Sequence, residues 1–215
     1  AWFIDSATAM HPHLTFAQMM PGIAAGGRQG IIEGLTLTNE LLDAIAWLDA
    51  RNALPLEERG ALRGWFGSYL AWLRHSSPGR AEARRVNNHG TWHDVQVAAL
   101  ARALGMVELE RATLEKAEAR LQAQFLPDGR QPDELRRTKA FAYSVYNLNA
   151  WAHLERLAQR HGMHIWSKGP QRGLDYLQAR QKDWPHRDLG SDHARELAPL
   201  LQRLQRWNIA PAPPP

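Results

Sequence analysis

Cysteine is absent from the 215 residues, which excludes disulfides, a thiolate nucleophile and thiolate-bound zinc or iron–sulfur sites. It leaves the compartment open, because many exported bacterial proteins also lack cysteine. No apolar run approaches the ~20 residues that a membrane-spanning helix needs. Strong charge of one sign is lacking too: 26 Lys and Arg stand against 22 Asp and Glu, for a net charge of +4. That mild basic excess, joined by ten His as pH falls, favours an anionic partner without naming one. What is present is 44% hydrophobic and 22% charged residues, enough for a sizeable core and too apolar for wholesale disorder. The length fits one ordinary domain or a large piece of a bigger one.

The first residues, Ala1-Trp2-Phe3-Ile4-Asp5, lack an initiator Met and the pattern of a signal peptide. They read like the middle of a domain, so a mature or truncated product is expected. Pro12, Pro21 and the glycines between Gly22 and Gly34 make residues 1–34 irregular. Apolar residues then recur at helical spacing: Leu41, Leu42, Ile45 and Leu48 behind Thr38 and Asn39, and Leu62 to Leu73 up to Ser77-Pro78-Gly79. Further stripes run from Val95 to Leu104 and from Leu109 to Phe125. Pro132-Asp133-Glu134 opens the longest predicted helix, to about Gln159, and shorter ones are expected near 171–181 and 193–206. No segment alternates with period two. The chain reads as all-α, about seven helices in antiparallel pairs, and both a toroid of such pairs and a plain bundle fit. Residues 1–209 are expected to form one helical domain, and Ala210–Pro215, mostly proline, an extended tail.

Three strings carry candidate chemistry. Asn87-Asn88-His89-Gly90-Thr91-Trp92-His93-Asp94-Val95-Gln96 gathers amides, imidazoles and a carboxylate at a helix start, with His89, His93 and Gln96 on one face. The bland alternative is a helix cap with polar neighbours. Glu134-Leu135-Arg136-Arg137-Thr138-Lys139, followed by Tyr143 and Tyr146, puts three positive charges near a phenol, which favours its ionised form. A tyrosine on a helix is otherwise a core residue with its hydroxyl bonded. Trp2, His11, His13, Phe16 and Gln18 lie on an irregular segment of the kind that lines clefts or merely connects elements.

Taken together, the strings resemble the alginate lyase domain of bacterial polysaccharide lyases, a group that includes families five and thirty-eight. Asn87-Asn88-His89-Gly90-Thr91-Trp92 is similar to the Asn-Asn-His motif of those enzymes, and Glu134 to Thr138 with Tyr143-Ser144 to their Glu-Leu-x-Arg-Thr…Tyr segment. The stretch from Trp2 to Gly30 resembles what precedes the Asn-Asn-His motif, so the likeness runs from residue 1 to about 205. It implies an incomplete (α/α) toroid with further helices before the point where this chain starts.

The resemblance also implies β-elimination on a polyuronate such as alginate or glucuronan, with no metal or cofactor. Asn88 and His89, assisted by Arg137, would neutralise the C5 carboxylate, and Tyr143 would be base and acid. His89 could be the base where C5 has the opposite configuration. Trp92, His93, Gln18, His13, Gln131, Arg136 and Tyr146 are candidate substrate contacts, Trp92 by stacking on a sugar. Tyr146 is the alternate base. An ideal helix places Arg136 rather than Arg137 over Tyr143; a helix that starts only after Arg137 reconciles the geometry with the motif. The resemblance further implies a periplasmic or secreted protein acting on an anionic polysaccharide, with neither nucleic acid nor membrane as partner; oligomeric state is unreadable.

Three other readings compete. One is a non-catalytic basic helical module binding a polyanion, although the basic residues are dispersed and no nucleic-acid motif is present. Another is a metallohydrolase on His89, His93 and Asp94, weakened because Gly90 stands where His-Glu-x-x-His needs its Glu. The third is a lyase fold that binds without cutting.

Overall fold

The computed structural model describes residues 2–17, 22 and 38–209. The expected tail 210–215 and much of the irregular stretch before Thr38 lie outside the described residues. The helices are α1 Thr38–Ala50, α2 Leu56–His75, α3 Ser77–Ala83, α4 Asn88–Leu104, α5 Val107–Gln124, α6 Pro132–Leu135, α7 Ala140–Ala158, α8 Pro170–Arg180 and α9 His193–Arg206. Among the described residues there is no β-strand, only an isolated antiparallel bridge between Lys139 and Asp188. The all-helical reading holds.

Two compact units divide the chain. The first is Ala1–Arg85 with Gln96–Glu110, and the second is Val86–Val95 with Arg111–Pro215. In the first unit, α2 buries Phe66, Tyr69, Leu70 and Leu73, a stripe at the helical period. Trp65 lies 4.8 Å from the Phe3 ring and donates from Nε1 to the Met10 carbonyl at 2.8 Å, which fastens the irregular N-terminal segment to α2. Arg63 closes the end of α4, donating to the carbonyls of Ala103 (3.1 Å) and Leu104 (3.0 Å), groups that the helix itself leaves unpaired. The stop expected at Ser77-Pro78-Gly79 is met, since α2 ends at His75, and the same residues also begin α3: the Ser76 side chain accepts from Gly79 N at 3.0 Å. Proline in a first helical turn is compatible with a start as much as a stop.

The second unit is organised around α7. Phe141, Leu148, Trp151, Leu154 and Leu157 are buried on it, together with the small Ala140, Ala150, Ala152 and Ala158. A helix apolar on nearly every side belongs inside a core. It packs against α6, α8 and α9; α9 contributes Leu197, Leu200 and Leu204. Asp192 caps α9, accepting from Arg195 N at 3.1 Å.

One expectation is overturned here. The predicted single helix from 132 to about 159 is two helices with a break at residues 136–139. Arg137 N closes back on Glu134 O at 3.0 Å, and the next peptides turn outward to a neighbouring strand of chain. Leu189 N donates to Thr138 O at 3.0 Å and Ala140 N to Arg187 O at 3.4 Å. These tertiary partners replace the helical ones. No local signal in the sequence announces them.

The Pro127-Asp128-Gly129 turn needs its glycine for two reasons. Gly129 has φ +85°, and a Cβ there would stand 2.0 Å from the Arg172 carbonyl oxygen. Gly129→Ala is expected to destabilise the fold by on the order of 2 kcal/mol, read as a lower midpoint in denaturant without a change in slope.

Candidate active site

The start of α4 meets α6 and the break that follows it, all within the second unit. The first amides of a helix have no partner within it. Glu134 of α6 supplies one for Asn88: the backbone N donates to Oε1 at 2.8 Å and the side-chain Nδ2 to Oε2 at 2.7 Å. Both residues are buried, Asn88 at 0% and Glu134 at 1% exposure. Among the described residues, Asn88 Oδ1 is buried with no hydrogen-bond partner. Burial pushes the Glu134 carboxyl above the usual range, against the two Asn88 N–H bonds and the positive charge of Arg137 and of His89 that favour its ionised form.

The break at residues 136–139 decides which arginine reaches the phenol. Because α7 starts only at Ala140, Arg137 is free of helical register, and its guanidinium carbon sits 3.8 Å from the centre of the Tyr143 ring. Stacking of this kind suits a planar guanidinium. Arg136 is exposed and pairs with Asp133 at 2.7 Å. Tyr143, in the first turn of α7, is half-buried, as are His89 and Arg137. Asn88, Glu134, Arg137 and Tyr143 thus form one unbroken succession of contacts, and His89 lies close enough to Glu134 to act on it electrostatically.

The other expected substrate contacts have these surroundings. Trp92 is only 3% exposed, packed between Tyr146 (5.2 Å) and His153 (5.5 Å). Its ring is part of the core. Tyr146 is half-buried against it. His93 is buried, with Nδ1 3.6 Å from Asp94 Oδ1. Both Asp94 oxygens are already engaged by Lys116 (3.1 Å) and Arg120 (2.8 Å), so His89, His93 and Asp94 do not make a metal-binding set. Among the described residues, no group of three His, Asp or Glu side chains is placed to hold a metal ion. His13 belongs to the first unit, 6.0 Å from Phe16 and 6.3 Å from Trp72 between ring centres. Gln18 lies outside the described residues.

Gln131 is buried and structural. Its Nε2 donates to Ser144 O at 3.2 Å and its Oε1 accepts from Asn147 Nδ2 at 2.8 Å. The same network runs through Gln124, whose Oε1 accepts from Asn147 Nδ2 (2.9 Å) and Trp151 Nε1 (2.8 Å) and whose Nε2 donates to Asn87 O (3.1 Å). A buried polar network of this density fixes its members. Here it locks the end of α5, the approach to α6 and the face of α7 to the residue before Asn88. Sequence reading missed Gln124, Asn147 and the role of Glu134. Only the motif position of Glu134 offered a signal.

His153 lies in the wall behind Trp92, with Trp207 on its other side at 4.8 Å. Burial, with Arg203 and Arg156 nearby, pulls it down to about 3. The unfolded chain binds this proton near pH 6.5, so stability is full above that value and falls as pH drops toward about 3. The expected slope from this one group is about 1.4 kcal/mol per pH unit across that window. Urea midpoints of the wild type against His153→Phe at pH 7 and pH 4.5 check it: the difference between the two pH values shrinks in the variant.

Against known proteins, a sequence model described as alginate lyase matches residues 1–207. The chain belongs to the alginate lyase family. Its fold matches the crystal structure of an alginate lyase from Bacteroides ovatus with a TM-score of 0.89 and 28% identity, covering 97% of this chain and 58% of that one. The chain therefore spans less than two thirds of that alginate lyase. No curated protein sequence matches it. Within the described residues, no helix is long and apolar enough to cross a membrane.

Proposed function

We propose that the protein is a polysaccharide lyase that cleaves a polyuronate, alginate or glucuronan, by metal-independent β-elimination. The observation that carries this reading is the succession Asn88–Glu134–Arg137–Tyr143, which links an amide of α4 through Glu134 to a guanidinium stacked on a phenol of α7. A C5 proton beside an ionised carboxylate is weakly acidic, because its removal builds a second negative charge. Donors and cations aimed at that carboxylate lower the barrier. In this reading Asn88, His89 and Arg137 supply them.

The Tyr143 oxygen, as phenolate, takes the C5 proton. The C5 electron pair forms the C4=C5 double bond as the C4–O4 bond breaks, and the departing O4 takes the proton back from Tyr143. One group can serve both steps when the proton and the leaving oxygen lie on one face of the sugar. With the opposite C5 configuration, His89 would act as the base. The protein's net positive charge would draw the polyanion in. Residues 1–209 would act as one lyase domain, and the site of action would be periplasmic or extracellular.

Alginate and glucuronan incubated with the protein test the reading. The ultraviolet absorbance of unsaturated uronates is expected to rise on at least one of them, with or without a chelator. A folded sample that produces no absorbance on any polyuronate overturns it.

A further inference from the structure

The hydrogen bonding of Asn88 conflicts with its expected task. To neutralise a carboxylate, Asn88 must offer its N–H2. Yet Nδ2 is committed to Glu134 at 2.7 Å, and the end left over is Oδ1, an acceptor, buried and unpartnered. The arrangement is forced while Glu134 is ionised. A carboxylate only accepts hydrogen bonds, so the amide must turn its nitrogen inward. Asn88 is fully buried, so a uronate carboxylate reaches Oδ1 only when the groups that cover it move aside, and it would then meet oxygen against oxygen.

One proton on Glu134 reverses this. A carboxylic acid donates as well as accepts: its O–H would bond to Asn88 Oδ1, its other oxygen would keep the Asn88 backbone N–H, and Nδ2 would swing out toward the substrate. We infer that Glu134 is a positioning residue that takes up a proton when a uronate binds, turning the Asn88 amide from acceptor to donor. The inference rests on the lyase reading above and deepens it.

Its surroundings suit the switch. Burial favours the neutral acid at this position, while Arg137 from the break after α6, and His89 from α4 in its protonated form, oppose it. Arg137 leads on to Tyr143 of α7. Those cations are the same ones that would receive the substrate carboxylate. Once they are shared with it, less positive charge remains to hold Glu134 ionised, and a second carboxylate nearby drives the proton on. Binding and protonation are then linked, each favouring the other.

The test uses Tyr143→Phe, so that substrate is bound and not consumed, with mannuronate and glucuronate oligomers as probes. Calorimetry in buffers of different ionisation enthalpy reads protons taken up per oligomer bound. About one proton is expected near neutral pH, with affinity tightening up to about tenfold per unit as pH falls. Adding Glu134→Gln, whose amide imitates the protonated acid by donating to Oδ1 and accepting the backbone N–H, is expected to abolish the uptake and flatten the pH dependence while binding persists. Asn88→Ala, which removes the amide that must turn, is expected to abolish the uptake too. Undiminished uptake in both double variants would assign the proton to His89 or another group and overturn the inference. Binding to Tyr143→Phe with no proton uptake overturns it equally, and leaves the lyase reading standing. No binding of any oligomer removes the lyase reading itself, and this inference with it.

Discussion

Removing one hydroxyl, in Tyr143→Phe, is expected to lower kcat by about 10²–10⁴-fold, the span that a positioned acid–base group contributes. Tyr143 would serve twice, delivering to O4 the proton it has taken from C5, so both transfers fail together. The variant keeps the ring on which Arg137 stacks at 3.8 Å, so the guanidinium stays in place and KM should change little. A fall in kcat at nearly constant KM is the signature of an interaction made in the transition state. Tyr143 is half-buried in the first turn of α7, and the melting temperature should hardly move. Activity within tenfold of the parent would transfer the base to another group, with Tyr146 and His89 the nearest candidates by sequence.

The largest expected effect on stability belongs to Asp94→Asn. Asp94 is fully buried, on the second turn of the helix that begins with Asn88 and His89. Its Oδ2 accepts from Arg120 Nη2 at 2.8 Å and from Arg120 Nε at 3.2 Å, and its Oδ1 from Lys116 at 3.1 Å. Burial works to raise its proton affinity, but His93 beside it and the two cations prevail and hold the carboxyl below the usual range. Its contribution is therefore fully present above pH about 4, the unfolded carboxyl value, and is lost as pH falls through the lower folded value. An amide in its place takes from the Arg120 side chain, 8% exposed, the counter-charge that Asp94 supplies. Breaking such a pair costs about 3–5 kcal/mol, or a melting temperature lower by about 10 °C for a chain of this length. A shift of less than about 3 °C would mean that water or another group satisfies Arg120.

Helices were the legible part of this protein. Stripes such as Phe66, Tyr69, Leu70 and Leu73 announce themselves by period, and their burial follows from it. The break at residues 136–139 was not legible, because its cause is a pairing with residues 187–189, half a hundred positions away in sequence. That break is also what settles the rivalry of the two arginines: in one continuous helix Arg136 would lie over Tyr143, whereas the loosened chain puts Arg137 there.

Motifs named residues but not their directions. Trp92 looks like a sugar platform in the sequence and is a core residue in the fold. Gln131, read as a substrate contact, is consumed by Ser144 and Asn147. Glu134 is the reverse case. A carboxylate near a helix start reads as favourable placement at a dipole, and only coordinates reveal that it grips the amide of a different helix.

Under the proposed function, the polymer is broken by proton removal and elimination, with Tyr143 carrying the proton, and never by addition of water. Digestion of polymannuronate and glucuronan, with the fragments weighed, tests this without intermediaries. New non-reducing ends are expected to be unsaturated, one water lighter than hydrolytic ends, and nearly none should come from Tyr143→Phe over the same period. Fragments whose new non-reducing ends are all saturated would rule elimination out.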